Sequence, residues 1–283
     1  MSAESYILVG TAVSRSPSPA MMNAAFKAVG VPASYRAESI EAGGLAEFFS
    51  GCKRAGIAGV SVTMPFKTEI MPLLDVLDER AKEVGAVNTV KRVEKSYSGF
   101  NTDIDGILKP LHALAKERKL MRGAVIGAGG AARAFVGAMH RLGCREVAVV
   151  ARNRPHASRV LGELGQRFPD MTLRVFRIER GDIEKLGEID ILFNAAPIGG
   201  NGARVPKELF ALLKGGPVVF DAVYDPVETE LVREARRWRC PTIPGHEMLL
   251  WQGLAAFEIW TGTKGPEETM REALVDALRG RAR

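Results

Sequence analysis

The first hundred residues combine short apolar runs with stretches of helical periodicity. Apolar runs at Tyr6–Val9 and Gly59–Thr63 predict strands, and apolar positions from Pro19 to Val29 recur at helical spacing. Another helical pattern begins near Ile104 and continues through Arg118. This part of the chain is therefore predicted to be a mixed α/β domain.

Beyond this point, strand and helix patterns alternate regularly. An apolar run at Ala124–Ile126 is followed by a glycine-rich turn, a helix and a second run at Glu146–Val150. Comparable runs follow at Leu173–Ile178, Ile189–Phe193 and Pro217–Phe220, each separated by a helix-like stretch. Continuous apolar strands that alternate with helices are typical of a parallel sheet covered on both faces.

The last part of the chain shows no strand pattern. It predicts two helices, His246–Thr261 and Pro266–Leu278, and we expect this pair to return to the first domain. At roughly 150 residues per domain, 283 residues allow about two domains. We therefore predict a first domain of residues 1–105 and 246–283, and a Rossmann-type parallel-sheet domain of residues 106–245.

The composition is that of a soluble globular protein, with 46% hydrophobic and 25% charged residues. The apolar runs are far shorter than the roughly 18 residues needed to span a bilayer, and no charged-then-apolar leader opens the sequence. We expect a cytoplasmic protein without membrane association. The net charge of +6 comes from scattered basic residues without interleaved aromatic residues, which argues against nucleic-acid binding.

The three cysteines, Cys52, Cys144 and Cys240, are widely separated in the sequence. Their number and spacing fit neither a disulfide framework nor a metal-ligand cluster. We expect reduced thiols and no metal site.

A glycine-rich turn lies between the strand at Ala124–Ile126 and the helix that follows. The run Gly127–Ala132 fits the dinucleotide fingerprint, which needs glycine for the tight turn, glycine for close approach of a pyrophosphate and a small residue for helix–strand packing. Its candidate cofactor-binding residues are Gly127, Gly129, Gly130 and Ala131. The start of the helix offers unpaired N–H groups to the phosphates. The turn therefore predicts dinucleotide binding.

The end of the next strand indicates which dinucleotide binds. NAD-type sites place Asp or Glu there to hold the ribose 2′-hydroxyl, whereas this chain has Arg152, Asn153 and Arg154. Guanidinium groups suit a 2′-phosphate, so NADP is predicted. The alternative interpretation is that both arginines are solvated loop residues.

The first domain concentrates polar residues in four segments. These are Ser16–Pro19, Thr63–Lys67, Asn88–Thr89 and Asn101–Asp103. Each also has a structural explanation: Ser18 could cap a helix before Pro19, Asp103 could cap the helix near Ile104, and Lys67 could be a surface lysine. A proline two residues before Lys67 favours a fixed loop, where functional groups are commonly presented.

Together these segments resemble the shikimate dehydrogenase family, and the resemblance covers nearly the whole chain. The matching segments are Gly10–Phe26, Gly59–Lys67, Gly85–Thr89, Gly99–Asp103, Asp221–Pro226 with Thr229, and Gly245–Gln252. The resemblance implies reversible NADPH-dependent reduction of 3-dehydroshikimate to shikimate, a step in the biosynthesis of chorismate and aromatic amino acids. It also implies small-molecule substrates and a monomer or homodimer.

The resemblance further implies roles for individual residues. Lys67 and Asp103 would be the catalytic pair. The substrate would be bound by Ser16, Ser18, Thr63, Asn88, Tyr224 and Gln252. Asn153 and Arg154 correspond to the turn that recognises NADP, and Gly245 and Met248 would lie at the cofactor, with Met248 near the nicotinamide.

The chain departs from the family pattern at several positions. Ala12 and Arg15 replace the usual proline and histidine of the first loop, and Ser61 replaces the commoner asparagine. Ala196 and Gly200 alter the loop after Asn194, while Pro155 and Ser158 replace a threonine and a basic residue after Arg154. These departures concern the substrate pocket, the loop flanking the cofactor and the strength of the NADP preference.

Two other functions remain open at this point. Quinate or quinate/shikimate dehydrogenases, and paralogues acting on amino-substituted analogues, would share Lys67 and Asp103. A dinucleotide-sensing regulator without catalytic activity would retain the cofactor fold, but the intact catalytic pair counts against it.

Overall fold

The computed structural model describes residues 3–200 and 202–280 and confirms the predicted α/β fold class. The described residues form two compact units, one of residues 3–106 and 249–280 and the other within residues 107–248. Residues 1, 2 and 281–283, which the sequence assigns to the first domain, lie outside the described residues.

The strands are β1 (Glu4–Gly10), β2 (Ala33–Ser39), β3 (Gly59–Val62), β4 (Val76–Leu77), β5 (Thr89–Val93), β6 (Ser96–Phe100), β7 (Arg122–Ile126), β8 (Glu146–Val150), β9 (Thr172–Phe176), β10 (Ile191–Asn194), β11 (Val218–Asp221) and β12 (Thr242–Ile243). The α-helices are α1 (Ser18–Ala28), α2 (Leu45–Ala55), α3 (Glu79–Val84), α4 (Asp103–Glu117), α5 (Gly130–Arg141), α6 (Arg154–Arg167), α7 (Arg180–Leu186), α8 (Glu230–Arg237), α9 (Gly245–Thr261) and α10 (Glu267–Arg279). Short 3-10 helices lie at Met71–Leu73 and Lys207–Leu213.

The sheet of the first unit has the strand order β2-β1-β3-β5-β6-β4. Strand β5 is antiparallel to both of its neighbours, whereas the other pairs are parallel. The carboxyl ends of β1, β3 and β6 and the amino end of β5 therefore lie at the same edge of the sheet. Three of the polar segments directly adjoin the ends of β3, β5 and β6, and the fourth, Ser16–Pro19, spans the end of the loop after β1 and the start of α1.

Helix α10 and the part of α9 from Leu249 onward belong to the first unit. Trp260 of α9 donates from Nε1 to the carbonyl oxygen of Val90 at 2.9 Å, and its ring lies 4.8 Å from that of Tyr6, centroid to centroid. Tyr6 also stacks on Phe26 of α1 at 5.1 Å. A Cβ at Gly59 would lie 2.5 Å from Trp260 Nε1, so glycine is required where this indole crosses the strand.

The second unit is built on a fully parallel sheet with the order β12-β11-β10-β7-β8-β9. Counted from β7, this is the doubly wound order 3-2-1-4-5-6 of dinucleotide-binding folds. Stacked Phe135 and Phe193 rings, 4.9 Å apart, lie in its core, and Phe220 packs edge-on against Phe193. The strand order reverses between β7 and β10, which is where such folds bind ligands at the carboxyl ends of the strands.

Five strands were not predicted from the sequence pattern, namely β2, β4, β5, β6 and β12. Strand β2 lies at an edge of its sheet and buries a single residue, Tyr35, so it lacks an apolar run. Strands β4 and β12 have two residues each, too few to form a periodic pattern.

All three cysteines are buried and have free thiols. Burial raises the pKa of the Cys52 thiol to about 11 and also raises the pKa values of Cys144 and Cys240. In residues 3–200 and 202–280, no helix is long and apolar enough to cross a membrane. The same residues contain no cluster of three or more His, Cys, Asp or Glu side chains that could hold a metal ion.

Candidate active site

The loops that follow β1 and β3 are packed directly against each other. Val9 and Val62 are paired in the sheet, and Thr63 N donates to the carbonyl oxygen of Val9 at 2.9 Å. A Cβ at Gly10 would lie 2.5 Å from Thr63 Cγ2 and 3.3 Å from the carbonyl oxygen of Met64. Glycine at position 10 thus allows the serine-containing loop and the loop from Thr63 to Lys67 to lie side by side.

Lys67 and Asp103 form a direct ion pair between Nζ and Oδ2. The lysine side chain is 14% exposed and the aspartate side chain 4% exposed, so the explanation of Lys67 as a surface lysine is wrong. The carbonyl oxygen of Lys67 accepts from Val87 N at 2.8 Å, which fixes the loop that carries the ammonium group. A buried ion pair of this kind requires further hydrogen bonds to the remaining polar atoms.

Asn88 supplies those hydrogen bonds. Its Nδ2 donates to Asp103 Oδ1 and to Thr102 Oγ1, both at 2.9 Å, while its Oδ1 accepts from Thr102 N at 2.7 Å. Gln252 Oε1 lies 3.5 Å from the same Nδ2. The amide holds one oxygen of the Asp103 carboxylate and leaves the other directed at Lys67.

The start of α4 explains why Asp103 is available for this network. Asp103 is the first residue of the helix, and the side-chain oxygen of Asn101 accepts from Ile104 N at 3.3 Å. Asn101 Nδ2 donates to the carbonyl oxygen of Ala86 at 2.8 Å. Asp103 therefore lies inside the helix, and its two carboxylate oxygens bond to Lys67 and Asn88, so the capping explanation for Asp103 is wrong. The carboxylate also lies in the first turn, where the helix dipole favours negative charge.

Ser18 likewise does not cap its helix. It is the first residue of α1, the cap position is Pro17, and no side-chain hydrogen bond closes this end of the helix within the described residues. Ser16 Oγ accepts from Ser18 N at 3.2 Å and lies 3.1 Å from Ser18 Oγ. The two hydroxyl groups predicted to bind substrate therefore form an adjacent pair.

Two buried threonines of this network were missed as site residues. Thr89 Oγ1 lies 3.1 Å from Asn88 Oδ1 and 3.0 Å from Thr102 Oγ1, and both threonines are at most 1% exposed. Each adjoins a candidate site residue in its motif, which was the available signal. Their hydroxyl groups fix the orientation of the Asn88 amide.

The remaining substrate candidates have different surroundings. Gln252 of α9 donates from Nε2 to the carbonyl oxygen of Leu249 at 2.8 Å, which orients its Oε1 toward Asn88. Tyr224 belongs to the second unit, where it lies in the loop that follows β11. The hydrogen bonds that join Lys67, Asp103, Asn88 and Gln252 lie within the first unit.

The glycine turn of the second unit has the geometry of a phosphate-binding loop. Gly127 has φ +100°, and its N–H donates to the carbonyl oxygen of Val150 at 2.9 Å. A Cβ at Gly129 would meet nothing within 4 Å, so the approach to the start of α5 is open. Gly130 and Ala131 begin this helix, whose N-terminal end has no side-chain cap among the described residues. Its first N–H groups suit the pyrophosphate of a dinucleotide.

The turn after β8 combines a helix cap with exposed arginines. The Asn153 side chain accepts from His156 N at 3.0 Å and caps α6, while Pro155 occupies the first turn, where proline is well tolerated. Arg152 and Arg154 line a surface pocket of about 350 Å³. Sequence reasoning missed His156, whose Nε2 lies 3.3 Å from the carbonyl oxygen of Ala128 in the glycine turn.

Asp221 holds together the loops that follow β10 and β11. Its Oδ1 accepts from Asn194 Nδ2 at 2.8 Å and from Val223 N at 3.0 Å, and its Oδ2 accepts from Thr229 Oγ1 at 2.6 Å. Burial raises the pKa of this carboxyl to about 6, although the three hydrogen bonds oppose the shift. The network positions the loop that flanks the glycine turn.

Packing around Val223 explains two further residues. A Cβ at Gly200 would lie 2.8 Å from Val223 Cγ1, and one at Gly245 would lie 2.6 Å from the carbonyl carbon of Val223. Glycine at position 245 therefore allows the start of α9 to lie against the loop after β11. Met248, one turn further along this helix, is buried.

Comparison with known proteins identifies relatives of both parts of the chain. The model of the shikimate dehydrogenase substrate binding domain matches residues 8–90, and that of the shikimate 5′-dehydrogenase C-terminal domain matches residues 245–275. The shikimate dehydrogenase (NADP(+)) of Microcystis aeruginosa is 38% identical over 275 residues, which cover 95% of this chain and 95% of the relative.

Solved structures of similar proteins cover almost the entire chain. Shikimate 5-dehydrogenase from Thermus thermophilus, in complex with NADP(H) and shikimate, is 31% identical with a TM-score of 0.80, over 97% of this chain and 100% of that chain. Quinate dehydrogenase from Corynebacterium glutamicum, in complex with NAD, is 28% identical with a TM-score of 0.87, over 98% and 100%.

Proposed function

Because the chain belongs to the shikimate dehydrogenase family, we propose that it catalyses the reversible NADPH-dependent reduction of 3-dehydroshikimate to shikimate. The observation that carries this proposal is the buried Lys67–Asp103 ion pair, anchored by Asn88. A dinucleotide sensor without catalytic activity would not require an ammonium group held in a buried ion pair. The reaction belongs to the biosynthesis of chorismate and the aromatic amino acids.

Lys67 donates the proton in the reduction and accepts it in the reverse reaction. When bound, NADPH supplies the hydride, and the ketone oxygen of the substrate gains negative charge as the carbonyl is reduced. The Lys67 ammonium stabilises this charge and donates a proton to the oxygen, and in the reverse direction the amine takes the proton back. Asp103 is a hydrogen-bond acceptor that orients Nζ, while Asn88 prevents the carboxylate from rotating.

Substrate binding is assigned to neutral donors beside this pair. Ser16, Ser18 and Thr63 supply hydroxyl groups for the substrate carboxylate, with Lys67 as the nearby cation. Asn88, Gln252 and Tyr224 complete the set of binding residues. The close packing at Gly10 supports this assignment because it brings the serine loop against the Thr63 loop.

The two units have different roles in substrate and cofactor binding. The first unit supplies the catalytic pair and all the proposed substrate-binding residues except Tyr224, and the second holds NADP(H) through the glycine turn and the arginines after β8. The three buried free thiols are compatible with a cytoplasmic enzyme, since oxidising compartments favour disulfides. We propose that it acts there on small molecules, as a monomer or homodimer.

The test is oxidation of a panel of cyclic acids, followed through the absorbance of NADPH. Purified protein with NADP⁺ is expected to oxidise shikimate, and the same preparation with Lys67→Met serves as the control for contaminating activity. Quinate and an amino-substituted shikimate form the comparison arms, because the quinate dehydrogenase of Corynebacterium glutamicum has a closely similar fold. Faster turnover of either compound would replace the substrate assignment. No turnover of any acid, with cofactor binding intact, would favour the regulatory function.

A further inference from the structure

A third arginine faces the pocket formed by Arg152 and Arg154. Arg177 lines it, together with Pro155, Ile178 and Glu179. The sequence signal for nucleotide choice came from the turn after β8, whereas Arg177 follows β9 and belongs to neither of the motifs considered for the cofactor.

Strand pairing brings the two segments together. Strands β8 and β9 are parallel, with Val150 opposite Phe176, and Ala151 N donates to the carbonyl oxygen of Phe176 at 3.0 Å. Arg177 is the next residue, and its own N–H donates to Asp182 Oδ2 at 3.1 Å. The backbone from which the guanidinium extends is therefore held at the carboxyl edge of the sheet, beside the strand end that meets the nucleotide ribose in this type of fold.

The charge of the pocket suits a phosphate monoester. Three arginines line it, and among its lining residues Glu179 is the one acidic residue. Arg177 Nη1 lies 3.7 Å from Glu179 Oε1, and the two side chains are 51% and 64% exposed. An exposed pair at this separation contributes little and exchanges readily for another anion. The pocket thus has an excess of two positive charges, which matches a monoester carrying about −1.5 to −2 at neutral pH.

We propose that Arg177 is a specificity-determining residue that binds the 2′-phosphate of NADP together with Arg152 and Arg154, and that Glu179 holds its guanidinium when no nucleotide is present. This inference rests on the proposed NADP-dependent function. Arginine is well suited to this position because its planar fork binds phosphate oxygens in a bidentate manner.

The experiment measures binding of nucleotide fragments by calorimetry and therefore does not depend on turnover. The probes are 2′,5′-ADP, which carries the 2′-phosphate, and 5′-AMP, which lacks it. Arg177→Ala is expected to weaken 2′,5′-ADP by about tenfold, the lower part of the range for a charge-assisted hydrogen bond, and to change 5′-AMP by less than about twofold. Glu179→Gln is expected to strengthen 2′,5′-ADP by about two- to fivefold, because Arg177 no longer has a competing partner.

Arg174→Ala is the matched control. Arg174 lies on the same strand and is 53% exposed, but it pairs with Glu146 and does not line the pocket. Its variant should bind both probes as the unaltered protein does, and circular dichroism should show that all variants are folded. The proposal is overturned if Arg177→Ala binds 2′,5′-ADP normally, if it loses both probes equally, or if Arg174→Ala has the same effect.

The outcomes also separate this inference from the proposed function. Protein that binds 2′,5′-ADP through Arg177 but oxidises no cyclic acid would contradict the function and leave the inference standing. Protein that oxidises shikimate with NADP⁺, but whose Arg177→Ala variant binds 2′,5′-ADP normally, would overturn the inference alone.

Discussion

Replacing Asp221 by asparagine should remove a pH dependence of stability that the buried carboxyl creates. Burial raises its pKa from 3.8 to about 6. A shift of roughly 2 units at 1.36 kcal/mol per unit corresponds to about 3 kcal/mol. The folded state binds the proton more tightly than the unfolded chain does. The contribution to stability is therefore fully present below about pH 4 and is lost as the pH rises through about 6.

Asparagine is suited to this test because it keeps most of the contacts. Its oxygen can still accept from Asn194 Nδ2 and Val223 N, and its nitrogen can donate to Thr229 Oγ1 in place of the bond that Thr229 now donates. One hydroxyl proton must find a new partner, at a cost of about 1 kcal/mol that does not depend on pH. At pH 7 and higher, Asp221→Asn should therefore be at least as stable as the unaltered protein.

The assay is urea unfolding followed by circular dichroism at several pH values between 4.5 and 8. The difference in free energy of unfolding between the unaltered protein and Asp221→Asn isolates this carboxyl, because the other titrating groups cancel. We expect the difference to shift by about 2 kcal/mol in favour of the variant as the pH rises from 4.5 to 7, because the unfolded chain has already lost most of its proton at pH 4.5, and to be level above pH 7.

Thr229→Val provides the opposite perturbation. It keeps the shape of the side chain but removes the donor to Asp221 Oδ2, so the ionised carboxylate becomes less favourable and the decline with pH should steepen. The lost cap of α8 adds a constant cost of about 1 kcal/mol. A difference between the unaltered protein and Asp221→Asn that stays constant from pH 4.5 to 7 would refute the reasoning.

Three further predictions concern catalysis and specificity. Lys67→Ala should lower kcat by about 10²- to 10⁴-fold with a smaller change in KM, and a variant with nearly unaltered kcat would exclude Lys67 as the proton donor. Arg154→Ala should cost about 1.5–3 kcal/mol in NADP⁺ affinity and leave NAD⁺ binding almost unchanged, as measured by fluorescence titration; an equal loss for both nucleotides would contradict this role. Shikimate should exceed quinate in kcat/KM by roughly tenfold or more, because the hydroxyl pair of Ser16 and Ser18 should crowd the added hydroxyl group of quinate; equal or better turnover of quinate in steady-state kinetics would overturn the preference.

The pattern of the sequence predicts the second unit better than the first. Apolar runs such as Glu146–Val150 are buried on both faces of a parallel sheet, so they are visible without knowledge of their partners. Strand β2 has one buried side chain, Tyr35, and its pairing with β1 is decided by tertiary contacts. Tertiary contacts also decide the order and direction of the strands, so the sequence pattern does not show that the polar segments meet at one edge of the sheet.

Capping was misjudged because several nearby residues satisfy the same local rule. Asn101 and Asp103 both precede the apolar stripe of α4, and either side chain could accept from the first N–H groups of the helix. The buried partners decide between them, since Asp103 faces Lys67 and Asn88. The resemblance to a family identified this pair, whereas propensity alone favoured an ordinary helix start.

Arg177 shows that a motif of consecutive residues can miss a residue that the fold brings to the same site. It is far from Arg152 and Arg154 in sequence, and the register between β8 and β9 brings all three to one pocket. Register in a parallel sheet depends on packing of the crossover helices, which no local signal specifies.

The buried cysteines provide each unit with a natural chemical reporter. Cys52 lies in the first unit, and Cys144 and Cys240 lie in the second. Their raised pKa values and burial protect them from alkylating reagents, which attack the exposed thiolate. Labelling in increasing urea, read by peptide mass spectrometry, would therefore time the opening of each unit separately. Unfolding of this two-unit chain can thus be resolved by region with no engineered label.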